Sequence, residues 1–481
     1  MMTLKLKIFS VCFLISLSAA AQTKQSAVDA FVQNPALKHA SIGICVKDMS
    51  GKSIVSHNAA KSLTPASTLK IVTTATALEL LTPGYTYKTT LAKDKKNASH
   101  LYIFGSGDPT LGTKHLENDS EAFLGAWTNE IAKSYPEKKI TKITAVDNLF
   151  GYDGISPRWI RQDMGNYYAA STYGISVFDN TYQLFFNTVR QDTCPIIVKT
   201  EPQMKNIYFL NTMKMNTSGR DNGYINGEPL SYTRVLTGNI PAGRQSFSIK
   251  GDIPDPGLYL VGRVADILND NGFEVSDIGT TQYDYFENMY AKSKPVYDGE
   301  VFYTHHSFPL RDIIQNVNFK SNNHYAEHLL RTIGRLRNKD IYSSALDEGT
   351  KKVGEYWKAQ GLDTDALFMY DGCGLAPSNA VSPAFMCDVL VHMQTKSKYK
   401  DDFLHSLPQA GKEGTVRNLL KGTRLQGKVY AKSGSIVNVR CYAGYYIDGD
   451  KKYAFAVMVN NYNGSSQTVV KAIEKLLLGI L

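Results

Sequence analysis

The sequence predicts an α/β (α+β) protein in which a helix-and-sheet domain is interrupted by β-rich inserted material. Three observations carry this. A pair of short strand patterns is followed at once by an apolar helix near residue 70. From about residue 87 to 265 the texture changes to short strand-like runs between turns, rich in Tyr, Asn and Thr towards its end. Helical periodicity then resumes near residue 309, and the chain closes on a strand, a hairpin and an amphipathic helix. With 481 residues, 20% charged and 43% hydrophobic, the chain is globular and long enough for roughly two to four domains.

The elements follow in order. Residues 1–21 read as a signal peptide. Lys5 and Lys7 are its basic region, residues 8–17 its apolar core, and Ala19-Ala20-Ala21 the small-residue cleavage site before Gln22. The apolar run is short for a bilayer span, and no later stretch reaches about 18 uninterrupted apolar residues. The expectation is therefore a periplasmic protein, peripheral to the membrane at most. Residues 41–46 and 53–55 read as strands around the turn Asp48-Met49-Ser50-Gly51. Thr64 is a good helix N-cap and Pro65 suits the first helical position. The apolar run 71–81 then continues until Thr82-Pro83-Gly84 stops it.

Within the inserted material, 89–91, 101–104 and 142–146 read as strands, and 121–134 as an amphipathic helix. Strand-like pieces recur at 196–199, 207–210 and 246–249. Pro254-Asp255-Pro256-Gly257 punctuates the chain before a helix at 259–269. Helices fit 309–317, 321–336, 344–359 and 383–396. The end of the chain reads as a strand at 429–433, a hairpin of 441–447 and 452–459 across Asp448-Gly449-Asp450, and a helix at 469–478.

Composition excludes several classes. The formal charge of +9 is mild, and no basic run is interleaved with aromatics, so nucleic acid is not an expected partner. Cys12 lies in the signal. Cys45, Cys194, Cys373, Cys387 and Cys441 are odd in number and widely spaced, with no C-x-x-C pair. They are neither a disulfide framework nor a metal set, although one bridge between undetermined partners suits an oxidising compartment. His324 and His328 have the i,i+4 spacing of zinc ligands. Glu327 does not complete an H-E-x-x-H pattern and no third ligand is evident, so no metal and no cofactor are expected.

Three short motifs carry chemistry. Ser67 and Lys70 form an S-x-x-K across one helical turn, where the two side chains share a face. The positive end of the helix dipole and burial both disfavour a protonated Lys70, and a neutral amine beside a hydroxyl makes an activated nucleophile. Ser321-Asn322-Asn323 is an S-x-N on a loop entering a helix, and Lys432-Ser433-Gly434 lies on the strand before the final hairpin. Acyl transfer from an amide needs a nucleophile, a base, and a proton donor for the leaving amine. Ser67 and Lys70 supply the first two, and Ser321 relays a proton to the leaving nitrogen. Asn323 can hydrogen-bond a substrate amide, and Lys432 adds positive charge that holds Lys70 neutral and attracts a carboxylate. Gly434 lets an edge strand approach the substrate backbone.

Taken in this order, the trio resembles the signature of penicillin-binding proteins and class A β-lactamases. The mature chain is similar throughout to the low-molecular-mass class C penicillin-binding proteins, the D-alanyl-D-alanine carboxypeptidase/endopeptidase family. Further matching stretches are Gly105-Ser106-Gly107-Asp108-Pro109-Thr110-Leu111, Asp147-Asn148-Leu149-Phe150, Ser321 to Glu327, Asp371-Gly372-Cys373-Gly374-Leu375, and Leu407-Pro408 ahead of Gly411 and Gly414-Thr415. The span from Ser67 to Ser321 is much longer than a β-lactamase needs, as two inserted domains would make it.

The resemblance implies a β-lactamase-like serine transferase domain made of residues 22–86 and 295–481. It implies one inserted domain at 87–180 and 266–294, and a second nested at 181–265. It implies an acyl-enzyme on Ser67, an oxyanion hole from the backbone N–H groups of Ser67 and Ser435, and Ser433 on the terminal carboxylate. The stretch from Trp159 to Met164 also resembles a family segment. There Asp163 would contact the free amine of a diaminopimelate side chain and Tyr168 would be the accompanying aromatic. The implied partners are peptidoglycan stem peptides, with β-lactams as covalent inhibitors. Three positions depart from the pattern: K-T-G is K-S-G, Cys373 replaces a Ser, and Ala376-Pro377 stand where an Arg is expected. Competing readings are a β-lactamase or esterase of the same fold, and a slow-turnover scaffold that binds peptidoglycan.

Overall fold

The structure is a computed structural model and describes residues 23–190, 194–283 and 285–481, so the signal read at 1–21 lies outside the described residues. Internal contacts divide the chain into two units. Among the described residues, the first holds 23–82 with Ile314–Ser321 and Val353–Leu481; the second holds Pro83–Ile313 and Asn322–Lys352.

The first unit is built on a five-stranded antiparallel sheet. Its order is Val429–Ile436, Val439–Asp448, Lys451–Asn460, Ser41–Asp48 and Ser53–His57. Every strand expected here forms, each extended by one to three residues because ladder bonds continue past the apolar pattern. Side chains alternate across the sheet. Ile42, Ile44 and Val46 enter a core with Val457 and Val459, closed by Val469, Ile473 and Leu477 of the terminal helix Ser466–Ile480. The opposite face, with Gly43 and Cys45, receives the helix Pro383–Thr395. Ser382 caps that helix through the Phe385 N–H at 3.1 Å, and Pro383 occupies its first turn, where a missing N–H is harmless. Against it packs Lys70–Leu81, buried from Lys70 to Leu78 on all sides. Its buried Thr74 and Thr76 are satisfied within the helix, donating to the Lys70 and Val72 carbonyls at 2.7 Å, so every face can be interior. Helices therefore cover both faces of the sheet.

The second unit contains another five-stranded sheet, ordered Ile278–Thr280, Lys142–Val146, His100–Phe104, Lys88–Asp94 and Gly299–His306. Trp127 and Ile131 of helix Ala122–Ser134 and Leu260, Val261 and Val264 of helix Pro256–Asp270 fill its core. Asp255 caps the latter helix through the Leu258 N–H at 2.8 Å. Two smaller sheets lie between Thr181 and Asp252, with a separate core of Tyr182, Leu184, Phe186, Ile225, Leu236 and Ile240. The nested segment read at 181–265 thus has its own core, but the helix expected at 259–269 packs with the larger sheet. The strand Gly299–His306 also differs from expectation. It lies beyond the boundary read at 295, yet it pairs antiparallel with Lys88–Asp94 and belongs to the second unit. A weakly alternating run of Tyr, Thr and His carries no sign of which sheet it joins.

Candidate active site

Ser67 lies in a 3-10 turn, Ala66–Leu69, and the α-helix proper starts at Lys70. The N-cap expected at Thr64 does not form. Its hydroxyl donates instead to the Pro377 carbonyl at 3.2 Å. The turn is held tight by backbone crowding from two sides. A Cβ on Gly374 would stand 1.9 Å from the Ala66 carbonyl oxygen, and a Cβ on Gly434 would stand 2.5 Å from the Pro65 carbonyl oxygen. Ala66 accordingly takes φ +46°, a left-handed value that an alanine adopts only under constraint.

Lys70 is fully buried. Its Nζ reaches the Ser67 Oγ at 3.0 Å and the Cys373 carbonyl at 2.6 Å. The loop bearing Cys373 is organised by Asp371, whose carboxylate accepts from the Gly374 N–H at 2.7 Å, the Ala376 N–H at 2.6 Å and the Asn379 amide at 2.8 Å. Thr73 of the helix ties down the same loop, donating to the Gly372 carbonyl at 2.7 Å. The motif departs from its pattern in the side chain of Cys373. The structure uses its carbonyl, which any residue supplies, so the substitution leaves the lysine's anchor intact.

Lys432 is also fully buried, and its Nζ donates to Ser321 Oγ at 2.9 Å and the Ser433 carbonyl at 2.8 Å. Burial, with the charge of Lys70 beside it, holds the Lys432 ammonium well below the usual lysine range. The repulsion acts on both lysines, so the expectation of one fixed charge on Lys432 gives way to a pair that resists double protonation. Ser321 has φ +58°, an uncommon conformation at the residue accepting from Lys432.

Gly434 has a second role beyond the one expected. Its Cα faces the nucleophile turn so closely that a Cβ would stand 2.9 Å from the Thr68 N and 3.1 Å from the Ser67 N. Ser433 donates to Thr415 Oγ1 at 2.8 Å, which gives the matching Gly414-Thr415 stretch a place beside the K-S-G strand. Ser435 is exposed. The strand Val429–Ile436 lies at the sheet edge, and the Ala431 N–H and Val429 carbonyl both point outward, bonding Pro408 and Ala410. Alternation then turns the N–H groups of Ser433 and Ser435 to the same open side.

The second unit holds Asn323, Asp163 and Tyr168. Asn322 caps the helix Asn323–Arg337 through the Tyr325 N–H at 3.1 Å. Asn323 donates its amide to the Tyr168 carbonyl at 2.7 Å, so this expected substrate contact has a protein partner. The Tyr168 hydroxyl donates to Asp163 Oδ1 at 3.1 Å. Asp163 is half-buried, and burial raises its carboxyl above the usual range despite that hydrogen bond. Asn166 fixes the turn between them, donating to the carbonyls of Gln162 and Asp163 and accepting from the Ile225 N–H.

The glycine and aspartate stretches at 105–111 and 147–150 prove to be a socket for this helix. His328 bonds the Gly107 carbonyl at 2.8 Å, His324 bonds Ser176 Oγ at 2.6 Å, and Tyr325 donates to Thr113 and Asp179. Gly107, at φ +81°, has no room for a Cβ, which would meet the Phe150 ring at 2.3 Å. Burial pushes His324 down to about 3 and His328 well below the histidine range, which leaves both neutral.

A family model for the D-Ala-D-Ala carboxypeptidase 3 (S13) family matches residues 24–479. The chain is 26% identical to the D-alanyl-D-alanine carboxypeptidase of Actinomadura sp. (strain R39), over 92% of this chain and 82% of that one. It is 24% identical to the penicillin-sensitive carboxypeptidase A of Dictyostelium discoideum, over 88% and 83%. In fold it is similar to penicillin-binding protein 4 of Haemophilus influenzae, with a TM-score of 0.76 at 20% identity, covering 94% of this chain and 98% of that one. The motif trio, the split sheet-and-helix unit and the near-complete family match agree, and this chain belongs to the D-Ala-D-Ala carboxypeptidase 3 (S13) family.

Proposed function

We propose that the protein is a serine DD-peptidase that hydrolyses the terminal D-Ala-D-Ala bond of peptidoglycan stem peptides, D-Ala-diaminopimelate cross-links, or both. The observation that carries this is the Lys70 Nζ held 3.0 Å from Ser67 Oγ and anchored from behind by the Cys373 carbonyl. Neutral Lys70 takes the Ser67 proton as Oγ attacks the scissile carbonyl. The oxyanion is met by the N–H groups of Ser67 and Ser435, the second of which faces the open strand edge. Ser321, hydrogen-bonded to Lys432, passes a proton to the departing amine. Water then hydrolyses the acyl-enzyme. Ser433, steadied by Thr415, holds the terminal carboxylate, and Asp163 with Tyr168 reads a free amine on the stem-peptide side chain.

A β-lactam presents the same carbonyl to the same serine, so covalent inhibition follows from this mechanism; the Haemophilus influenzae relative has been solved in complex with a β-lactam. A periplasmic location suits this substrate. Among the described residues no helix is long and apolar enough to cross a membrane. The test is intact-protein mass spectrometry after penicillin treatment. The wild type gains one covalent adduct and Ser67→Ala gains none; an equal adduct on both moves the nucleophile elsewhere. Resolving the products of purified muropeptides by mass then separates loss of a terminal D-Ala from cleavage of a cross-link.

A further inference from the structure

Two cysteines of the first unit meet between the sheet and a helix. Cys45 lies in the strand Ser41–Asp48 and Cys387 in the helix Pro383–Thr395. Alternation places Gly43, Cys45 and Lys47 on one face of the strand. Each of the three touches the helix. A Cβ on Gly43 would stand 2.7 Å from Pro383 Cγ, so its absence lets the helix approach closely. Lys47 forms an ion pair with Asp388. Between these contacts, the Cys387 thiol donates to the Cys45 carbonyl oxygen at 3.5 Å. Their exposures are 1% and 0%, so no solvent separates them. The other cysteines are engaged or placed differently. Cys441 Sγ contacts the Thr64 carbonyl at 3.5 Å, the Cys373 carbonyl holds Lys70, and Cys194 is exposed.

We propose that Cys45 and Cys387 are the chain's disulfide pair, a staple joining the first strand of the sheet to the helix that covers it. Two buried cysteines can also serve as small apolar side chains; the Cys387 thiol seated on the Cys45 backbone, between the Gly43–Pro383 and Lys47–Asp388 contacts, favours the bridge. The oxidant is a small or protein-borne disulfide. One cysteine thiolate attacks it, forming a mixed disulfide and expelling one thiolate. The second cysteine, losing its proton, displaces the other. The two protein thiols thereby lose two electrons and two protons, and the oxidant leaves as two thiols. Both sulfurs are sealed once the helix is seated, so exchange precedes the final packing. The bridge would span 342 positions and enclose the whole inserted region. Long loops are those whose closure most restricts the unfolded chain.

The experiment refolds the reduced full chain in a mixture of reduced and oxidised glutathione. Free thiols are then alkylated under denaturing conditions and the digest is mapped by mass. The expected result is a linked peptide pair containing Cys45 and Cys387 that disappears on reduction. The oxidised protein should melt at least about 4 °C above the reduced one. Alkylation of both cysteines, or a bridge from either to a different cysteine, overturns the proposal. In a Cys45→Ala/Cys387→Ala variant the difference in melting temperature between the two redox states should vanish; a difference that persists there overturns the staple.

Discussion

The candidate site side chains of the two units are held differently. In the first, Lys70 and Lys432 are fully buried, and each is anchored by a backbone carbonyl and a serine hydroxyl. In the second, Asp163 is half-buried and receives a hydroxyl from Tyr168. The difference matches the roles proposed for each. Groups that move a proton must sit at fixed distances in a dry site, where electrostatic terms are large and need no reorganisation. A group that reads a substrate charge is better left partly solvated until the ligand arrives, because a fully desolvated lone carboxylate is costly.

The largest expected effect breaks the first arrangement. Lys70→Arg keeps the charge but cannot surrender its proton, since a guanidinium does not deprotonate in proteins. Penicillin acylation should fall at least about a hundredfold, measured as the second-order rate of adduct formation. A loss of only a few-fold would assign the base role to another group.

An intermediate effect sharpens the comparison by testing the lysine pair. The charge of Lys70 adds to burial in lowering Lys432, and because such repulsion is mutual the pair sheds its first proton more readily than a single buried lysine. In Lys432→Met that help is gone, and Lys70 holds its proton to higher pH. The acid limb of the acylation profile should therefore shift towards higher pH, with a lower rate at neutrality. A limb that stays in place would show that the two lysines are not coupled. Stability moves in a defined direction too. The native state holds Lys432 below its unfolded value, so the unfolded chain binds more protons between those two pKa values. The wild type should gain stability relative to Lys432→Met as pH rises through that window.

The smallest effect separates the two units. Asp163→Ala should lower kcat/KM for peptides with a free side-chain amine by roughly tenfold to a hundredfold. Penicillin acylation and turnover of substrates lacking that amine should stay within a few-fold of wild type. Because burial raises the Asp163 carboxyl, preference for the amine-bearing peptide should weaken as pH falls through its titration, sooner than for an ordinary aspartate. Equal losses on both substrate types would make Asp163 a structural residue of its turn.

Much of this was legible in the chain itself. The strands read at 41–46, 441–447 and 452–459, the helix after Ser67 and the terminal helix all follow from local periodicity, because each buries one face or all faces of a short segment. The spacing of Ser67 and Lys70 survives even though the turn is 3-10 at first, since i and i+3 share a side in either helix. Three side-chain types at three motifs were enough to name the chemistry. Other features depended on residues far apart in sequence. Thr64 has the residue type of a cap, yet backbone pressed in by Gly374 and Gly434 decides how the turn starts. The Cys373 carbonyl, the Thr415 hydroxyl and the meeting of Cys45 with Cys387 arise only when distant segments pack. A sequence pattern reports which groups a segment can offer. Backbone carbonyls have no residue signature, and the charge state of Lys432 depends on burial beside Lys70, so only the tertiary structure decides these.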